Sequence, residues 1–287
     1  MIEKDEPTRG SPAYELCEFS LSNEQKELLR KGLLPYIDRD IANVDIRELA
    51  SLIVEAIPSE ILEKIKDVLD RKIDAPVIIH NLPETVWENG FAKQVQKEPV
   101  SSLNHSMEFW VSRGILEATG CEFARGKFLL RKQNDPHREH LVHRDRNPVS
   151  ILSAMHNPIH AETQFVNMEA MLASLSSDLK NRLKIKPMPA FGVFNSITLS
   201  ELESRINALR YDNTVAAHGF ALENPSDGDK QIFENAVSDH MISVDLQPGT
   251  LVLWDTMYHR AREGKKEIIV GDGEYNRAVM FVGAARN

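Results

Sequence analysis

Cysteine is scarce in this sequence, with two in 287 residues, Cys17 and Cys121. Two thiols that far apart make no disulfide framework, and no CxxC pair is present to hold zinc. Long apolar runs are also missing: no stretch reaches the ~20 residues that a membrane-crossing helix needs. The opening residues, MIEKDEPTRGSPAYE, are charged and polar, unlike the apolar segment of a secretory signal. Positive charge is in deficit, 34 Lys and Arg against 43 Asp and Glu, for a formal net charge of −9. That balance argues against the phosphate neutralisation on which non-specific nucleic-acid binding depends. These absences predict a cytoplasmic, soluble protein whose partner is a small molecule, with neither nucleic acid nor membrane involved. Oligomeric state is not legible.

What is present is an ordinary globular composition in a chain long enough to bury a sizeable core. No internal repeat, low-complexity tract or linker divides it. One domain over residues 1–287 is the simplest expectation, with a helical N-terminal segment over 1–75 and a β-rich core with inserted helices over 76–287.

Ser22 with Gln25 forms a capping box ahead of KELLRKGLL, which predicts a helix start. IRELASLIVEAI and SEILEKIKDVLDRK, the latter opened by Pro58-Ser59, repeat apolar residues at helical spacing. Ile61, Ile65, Val68 and Leu69 make a core-packing stripe. VIIHNLP reads as a short buried strand, with His80 a satisfied histidine at its end. MEFWVSRGILEATG reads as a helix closed by Gly120. FARGKFLLRKQ reads as a strand carrying Arg125, Lys127, Arg131 and Lys132, whose simplest role is a solvated strand edge. SILSAM and ETQFVN form two strands around an Asn-Pro turn, and MEAMLASLSSDLKNRLK one amphipathic helix. SITLSELESRINALRY, with a second capping box from Thr198 to Glu201, leads a helix into Arg210-Tyr211-Asp212. NPSDGDKQIFENAVSD is a loop followed by a helix. The remainder is strand-rich, with a tight turn at Pro248-Gly249.

The chemistry centres on His143-Arg144-Asp145. Residues i and i+2 of an extended strand project to one face, so an imidazole and a carboxylate can converge on one point. A third ligand from His259 would complete two histidines and one carboxylate, the facial set of non-haem Fe(II) oxygenases. Ten histidines make chance pairs common, and His160-Ala161-Glu162 offers the same pattern. Placement separates them, because His143-Asp145 precedes the hairpin while His160-Glu162 sits inside it, at the turn. A zinc hydrolase using His140, His143 and His259 with Glu139 as base is a second alternative, though no HExxH helix supports it. A metal-free binding jelly roll is a third.

SILSAMHNPIHAETQFVNMEAMLASLS resembles the segment after the iron motif in the taurine dioxygenase and clavaminate synthase-like family, where a Thr follows the turn and a helix follows the Thr. LQPGTLVLWDTMYHRARE is similar to the family's closing strands, where a Trp-Asp pair precedes the distal histidine. RAVMFVGA resembles its last strand, led by an Arg that holds 2-oxoglutarate. The resemblance covers about residues 120–287. It implies a distorted double-stranded β-helix of jelly-roll type with helices outside, mainly β with helices in class. It also implies Fe(II), 2-oxoglutarate as co-substrate and O2. His143, Asp145 and His259 would be the iron ligands, Arg277 would grip the distal carboxylate of 2-oxoglutarate, and Thr163 would hydrogen-bond the same carboxylate or its neighbour. Arg260 and Arg262 are rivals for that anchor, ranked below Arg277 because both lie too close to His259 to sit across the barrel from it. Arg210-Tyr211-Asp212 resembles a substrate-facing strand of the amino-acid hydroxylases in this group. With Arg131 and Arg125 as further substrate contacts, the pocket would hold fixed charges of both signs, suited to an α-amino acid. Hydroxylation is the expected outcome, with desaturation or cyclisation open to the same centre. Trp254 and Phe281 read as core aromatics.

Overall fold

The protein is described by a computed structural model covering residues 17–131, 143–144, 147–187, 218–256, 258–263 and 277–286, apart from 71, 74, 99, 159 and 161. The Thr198–Glu201 capping box lies outside these residues.

Helix α1 (Asn23–Leu33) starts where the capping box predicts: Gln25 N–H donates to Ser22 Oγ at 3.2 Å, and Ser22 N–H to Gln25 Oε1 at 2.8 Å. Asp45 caps α2 (Ile46–Ala56), and Pro58 precedes α3 (Ser59–Leu69). Ile61, Ile65, Val68 and Leu69 are all buried, as their spacing implies. Helix α4 (Asn89–Lys97) follows, then α5 (Met107–Ala118), whose Phe109, Trp110, Val111 and Ile115 are inaccessible to solvent. Gly120 ends α5 at φ 79°, a conformation that glycine adopts without penalty. None of the described helices is long and apolar enough to cross a membrane.

Two six-stranded sheets follow from the strand pairings. The first contains β1 (Cys17–Ser20), β2 (Val77–His80), β3 (Cys121–Arg131), β5 (Val149–His156), β10 (Leu251–Asp255) and β12 (Arg277–Arg286), in the order β1-β2-β10-β5-β12-β3. The second contains β4 (His143–Arg144), β6 (Glu162–Asn167), β7 (Leu183–Pro187), β8 (His218–Leu222), β9 (Met241–Asp245) and β11 (Tyr258–Glu263), in the order β7-β8-β4-β11-β6-β9. Only β1 and β2 pair in parallel among the named strands.

Alternation along β5 defines the layers. Val149, Ile151 and Met155 join the core shared with the helices, while Leu152 and Ala154 join an inner cluster. That inner cluster takes Val252, Trp254, Val279 and Phe281 from the first sheet, and Phe165, Ile242 and Val244 from the second. The sheets therefore face one another across it. Trp254 meets Phe165 edge-on at 5.0 Å between centroids and is a core aromatic, as expected.

Some local readings change. The strand β1 was not anticipated, because four residues bounded by loop carry too little pattern to register. The amphipathic stretch from Met168 is two helices, α6 (Met168–Ser174) and α7 (Ser177–Arg182), followed by strand β7. Ser176 divides them: its side chain accepts from Leu179 N–H and starts a new helix. Helix α8 (Asp227–Asp239) carries its own capping box, Ser226 with Asp229.

The Pro248-Gly249 turn does more than reverse the chain. It carries the backbone from β9 in the second sheet to β10 in the first. Gly249 adopts φ 79°, and Thr250 N–H closes the turn on Gln247 O at 2.9 Å. A Cβ there would stand 3.0 Å from Leu82 O, so glycine is required by both conformation and contact.

Candidate functional site

Arg277 opens β12 and is only 2% exposed. A guanidinium buried this deeply needs compensating acceptors, because desolvating it alone costs several kcal/mol. Its Nη2 donates to Thr163 Oγ1 at 2.7 Å, and Thr163 is itself 3% exposed. Since β12 belongs to the first sheet and β6 to the second, this bond joins the two sheets across the interior. Both residues were singled out through the family resemblance, 114 positions apart. A planar guanidinium beside a hydroxyl in a closed interior suits a carboxylate.

The two proposed imidazole ligands fall on neighbouring strands of the second sheet. His143 on β4 pairs with Arg260 on β11 and with Gly219 on β8. His259 pairs with Val166 on β6, one register step from the position opposite His143. Adjacent strands lie about 4.8 Å apart, so these two stretches of backbone are neighbours although 116 positions separate them in sequence. The residue directly opposite His143 is nevertheless Arg260, and successive residues of a strand alternate between faces. Asp145, Arg210 and Asp212 lie outside the described residues, as do Glu139 and His140 of the zinc alternative.

The rival pair is placed differently. His160 is well exposed at the hairpin turn, and its Nδ1 lies 2.7 Å from Asp245 Oδ2. Glu162 pairs with Asp245 on the edge strand β9. Among the described residues, no group of three His, Cys, Asp or Glu side chains could hold a metal ion. His80 is engaged by Glu18 at 2.7 Å and Thr250 at 3.2 Å, the satisfied strand-end histidine that its position predicts.

The basic strand β3 departs from the solvated-edge expectation at Arg125. Arg125 and Gly283 pair across β3 and β12, as do Lys127 and Phe281, and Arg131 and Arg277. Arg125 is half-buried, with its guanidinium 5.7 Å from the Phe281 ring centroid. Its Nε–H donates to Asn147 Oδ1 at 2.7 Å. Lys127 is exposed. Asn147 and Gly283 were missed at the level of sequence; the Asn-Pro dipeptide at 147–148 was the only available signal.

No family model matches the sequence, and neither does any curated protein. Solved structures match the architecture. A crystal structure of the non-heme iron oxygenase OrfP aligns with TM-score 0.60 at 13% identity, covering 94% of each chain. The same enzyme with Fe and α-ketoglutaric acid aligns with TM-score 0.59 at 14% identity over 95% of each chain, and with Fe and L-Arg with TM-score 0.57 at 14% identity over 94% of each chain. The chain shares its fold with that enzyme. The Arg277–Thr163 hydrogen bond and the β4–β11 pairing are features of this chain's own structure.

Proposed function

We propose that the protein is an Fe(II)- and 2-oxoglutarate-dependent oxygenase acting on an amino acid or an amino-acid-derived small molecule. The observation that carries this reading is the buried Arg277–Thr163 pair, a carboxylate-binding arrangement in the same interior that β4 and β11 border. On this reading the two facing sheets form a distorted double-stranded β-helix. Helices α1, α2, α3 and α5 belong to the same domain, because they share one core with the first sheet.

The residues fit the groups they would hold. His143, Asp145 and His259 would hold iron, and Arg277 with Thr163 would take the distal carboxylate of 2-oxoglutarate. When bound, iron and 2-oxoglutarate supply the oxidising power, with O2 consumed and succinate and CO2 released as the substrate C–H bond is oxidised. The chain contributes position and dryness. Arg277 orients the co-substrate from one end of β12, and Phe165, Leu152, Trp254 and Phe281 wall the interior against water. Crystal structures of OrfP hold L-Arg and L-homoarginine, amino acids with charges of both signs. In this chain Arg210, Asp212, Arg131 and Arg125 are the proposed substrate contacts, a mixed set that suits a zwitterion.

The metal assignment is tested by anaerobic Fe(II) titration. His143→Ala, Asp145→Ala and His259→Ala should each abolish binding, whereas His160→Ala should retain it. Wild-type affinity in His143→Ala would transfer the role to His160 and Glu162. The substrate class is tested separately by succinate release over a panel of amino acids, sulfonates and fatty acids. Amino acids should stimulate 2-oxoglutarate turnover above the uncoupled rate, because a site with buried fixed charges rejects ligands that leave one unpaired. Stimulation by sulfonates or fatty acids alone would refute the amino-acid assignment and leave the iron chemistry standing.

A further inference from the structure

Strand β3 is the outermost strand of the first sheet on its side, and its two faces differ in chemistry. Phe128 and Leu130 pack into the core shared with the helices, whereas Leu129 packs against the inner cluster between the sheets. The odd positions from 125 to 131 therefore face the interior, and they read Arg125, Lys127, Leu129 and Arg131. The register agrees: Lys127 stands directly opposite Phe281, a member of that inner cluster, and Arg131 opposite Arg277. Three cations in four interior positions are a local excess on a chain whose net charge is −9.

Arg125 is held in place before any ligand arrives. Its Nε–H donates to Asn147 Oδ1 at 2.7 Å, and its guanidinium lies 5.7 Å from the Phe281 ring centroid. Asn147 is 8% exposed and occupies space that exists only because residue 283 is glycine: a Cβ there would stand 2.5 Å from Asn147 Oδ1 and 2.6 Å from its Cγ. Fixing a guanidinium in advance lowers the entropy that binding an anion would otherwise cost. Six residues of strand, about 20 Å, separate Arg125 from Arg131, the partner of Arg277, so Arg125 and the co-substrate anchor are separate positions on one face.

We infer that Arg125 and Lys127 are specificity-determining residues that read an anionic side chain, and that the substrate is an acidic amino acid or a close derivative with a second carboxylate. The inference rests on the oxygenase reading above and narrows it. A guanidinium takes a carboxylate through parallel N–H donors, and the more exposed Lys127 adds a point charge beside it. Both oppose a ligand whose side chain is itself cationic. Inward-pointing charge on an edge strand also keeps chains from pairing at that edge, and the two roles predict different results.

The experiment measures succinate release by the full chain with Fe(II), 2-oxoglutarate and O2, across L-Asp, L-Glu, L-Asn, L-Gln, L-Lys and L-Arg. Size-exclusion chromatography and a thermal melt accompany it on the same samples. L-Asp or L-Glu should give a kcat/KM about 10-fold or more above that of its amide, which has the same size without the charge. Lys127→Met and Arg125→Met should each raise KM for that acid by about 10-fold and move KM for the amide little. Lys127→Glu should place the amide above the acid. Should Arg125→Met fail to fold, the exposed Lys127 carries the same reading through its own two variants. No stimulation by either acid above the uncoupled rate would overturn this inference alone. So would an unchanged preference in the folded variants, with only self-association increased, which is the result that edge protection predicts. Absence of 2-oxoglutarate turnover in the wild type, with or without an amino acid, would overturn the oxygenase reading and this inference with it.

Discussion

Arg277→Leu is expected to raise the 2-oxoglutarate concentration needed for half-maximal turnover by on the order of 100-fold, while Fe(II) affinity stays at the wild-type value. The leucine keeps apolar volume at the head of β12 but removes every N–H that could meet a carboxylate. The size follows from a buried charge-assisted contact, typically worth a few kcal/mol, and ~100-fold corresponds to about 2.7 kcal/mol. The separation of the two effects is the informative part. Arg277 stands on the first sheet, whereas His143 and His259, the proposed ligands, lie on the second. Steady-state kinetics against 2-oxoglutarate, paired with the Fe(II) titration, checks it. An unchanged 2-oxoglutarate requirement would move the anchor to Arg260 or Arg262.

The second large effect concerns stability. Glu108 lies in the first turn of α5, 3% exposed, and accepts from Thr85 N–H at 2.8 Å and Thr85 Oγ1 at 2.7 Å. Those two hydrogen bonds favour the carboxylate, as does a helix N-terminus. Burial outweighs the hydrogen bonds and pushes the group up to about 7 from an ordinary 4.5. The folded state therefore keeps a proton that the unfolded chain gives up, so the slope of stability with pH is negative through this window. Stability should fall as pH rises from about 4.5 to about 7, by about 3 kcal/mol in all, then level off. Glu108→Gln cannot titrate. Urea unfolding at about pH 5 and about pH 8 should show wild type losing about 3 kcal/mol more than the variant across that interval. Equal losses in the two proteins would show that Glu108 titrates at its ordinary value.

Much of this architecture was legible in the sequence where a local rule sufficed. Ser22 and Gln25 placed α1, the Ile61–Leu69 stripe named the buried face of α3, and the alternation in FARGKFLLRKQ marked β3. Arg277 and Thr163 were assigned to one co-substrate through the family resemblance, and Arg277 Nη2 donates to Thr163 Oγ1. What escaped depends on contacts distant in the chain. The break between α6 and α7 is set by Ser176, indistinguishable by sequence from Ser174 and Ser177 on either side. The Pro248-Gly249 turn was foreseen between two strands, but that those strands belong to different sheets follows only from their partners, β6 for β9 and β5 for β10. The contacts of Asn147 join residues 22 positions before it and 136 after it, and no periodicity encodes such a meeting. The iron-ligand set itself is a reading of the HxD spacing and of the family resemblance, and Asp145 lies outside the described residues.

The strand order of the first sheet bears on how the protein is made. β12 is the last described strand to leave the ribosome, yet it sits between β5 and β3 and pairs with both along most of their length. Until residues 277–286 emerge, β3 has no partner in that sheet and β5 has one bare edge, with the apolar Leu129, Leu152 and Ala154 around them. Exposed edges of this kind invite pairing with another chain. The sheet cannot close by growing outward from its first strands. It closes by insertion, and the nascent chain must hold a gap the width of one strand until the residue that begins it, Arg277, arrives.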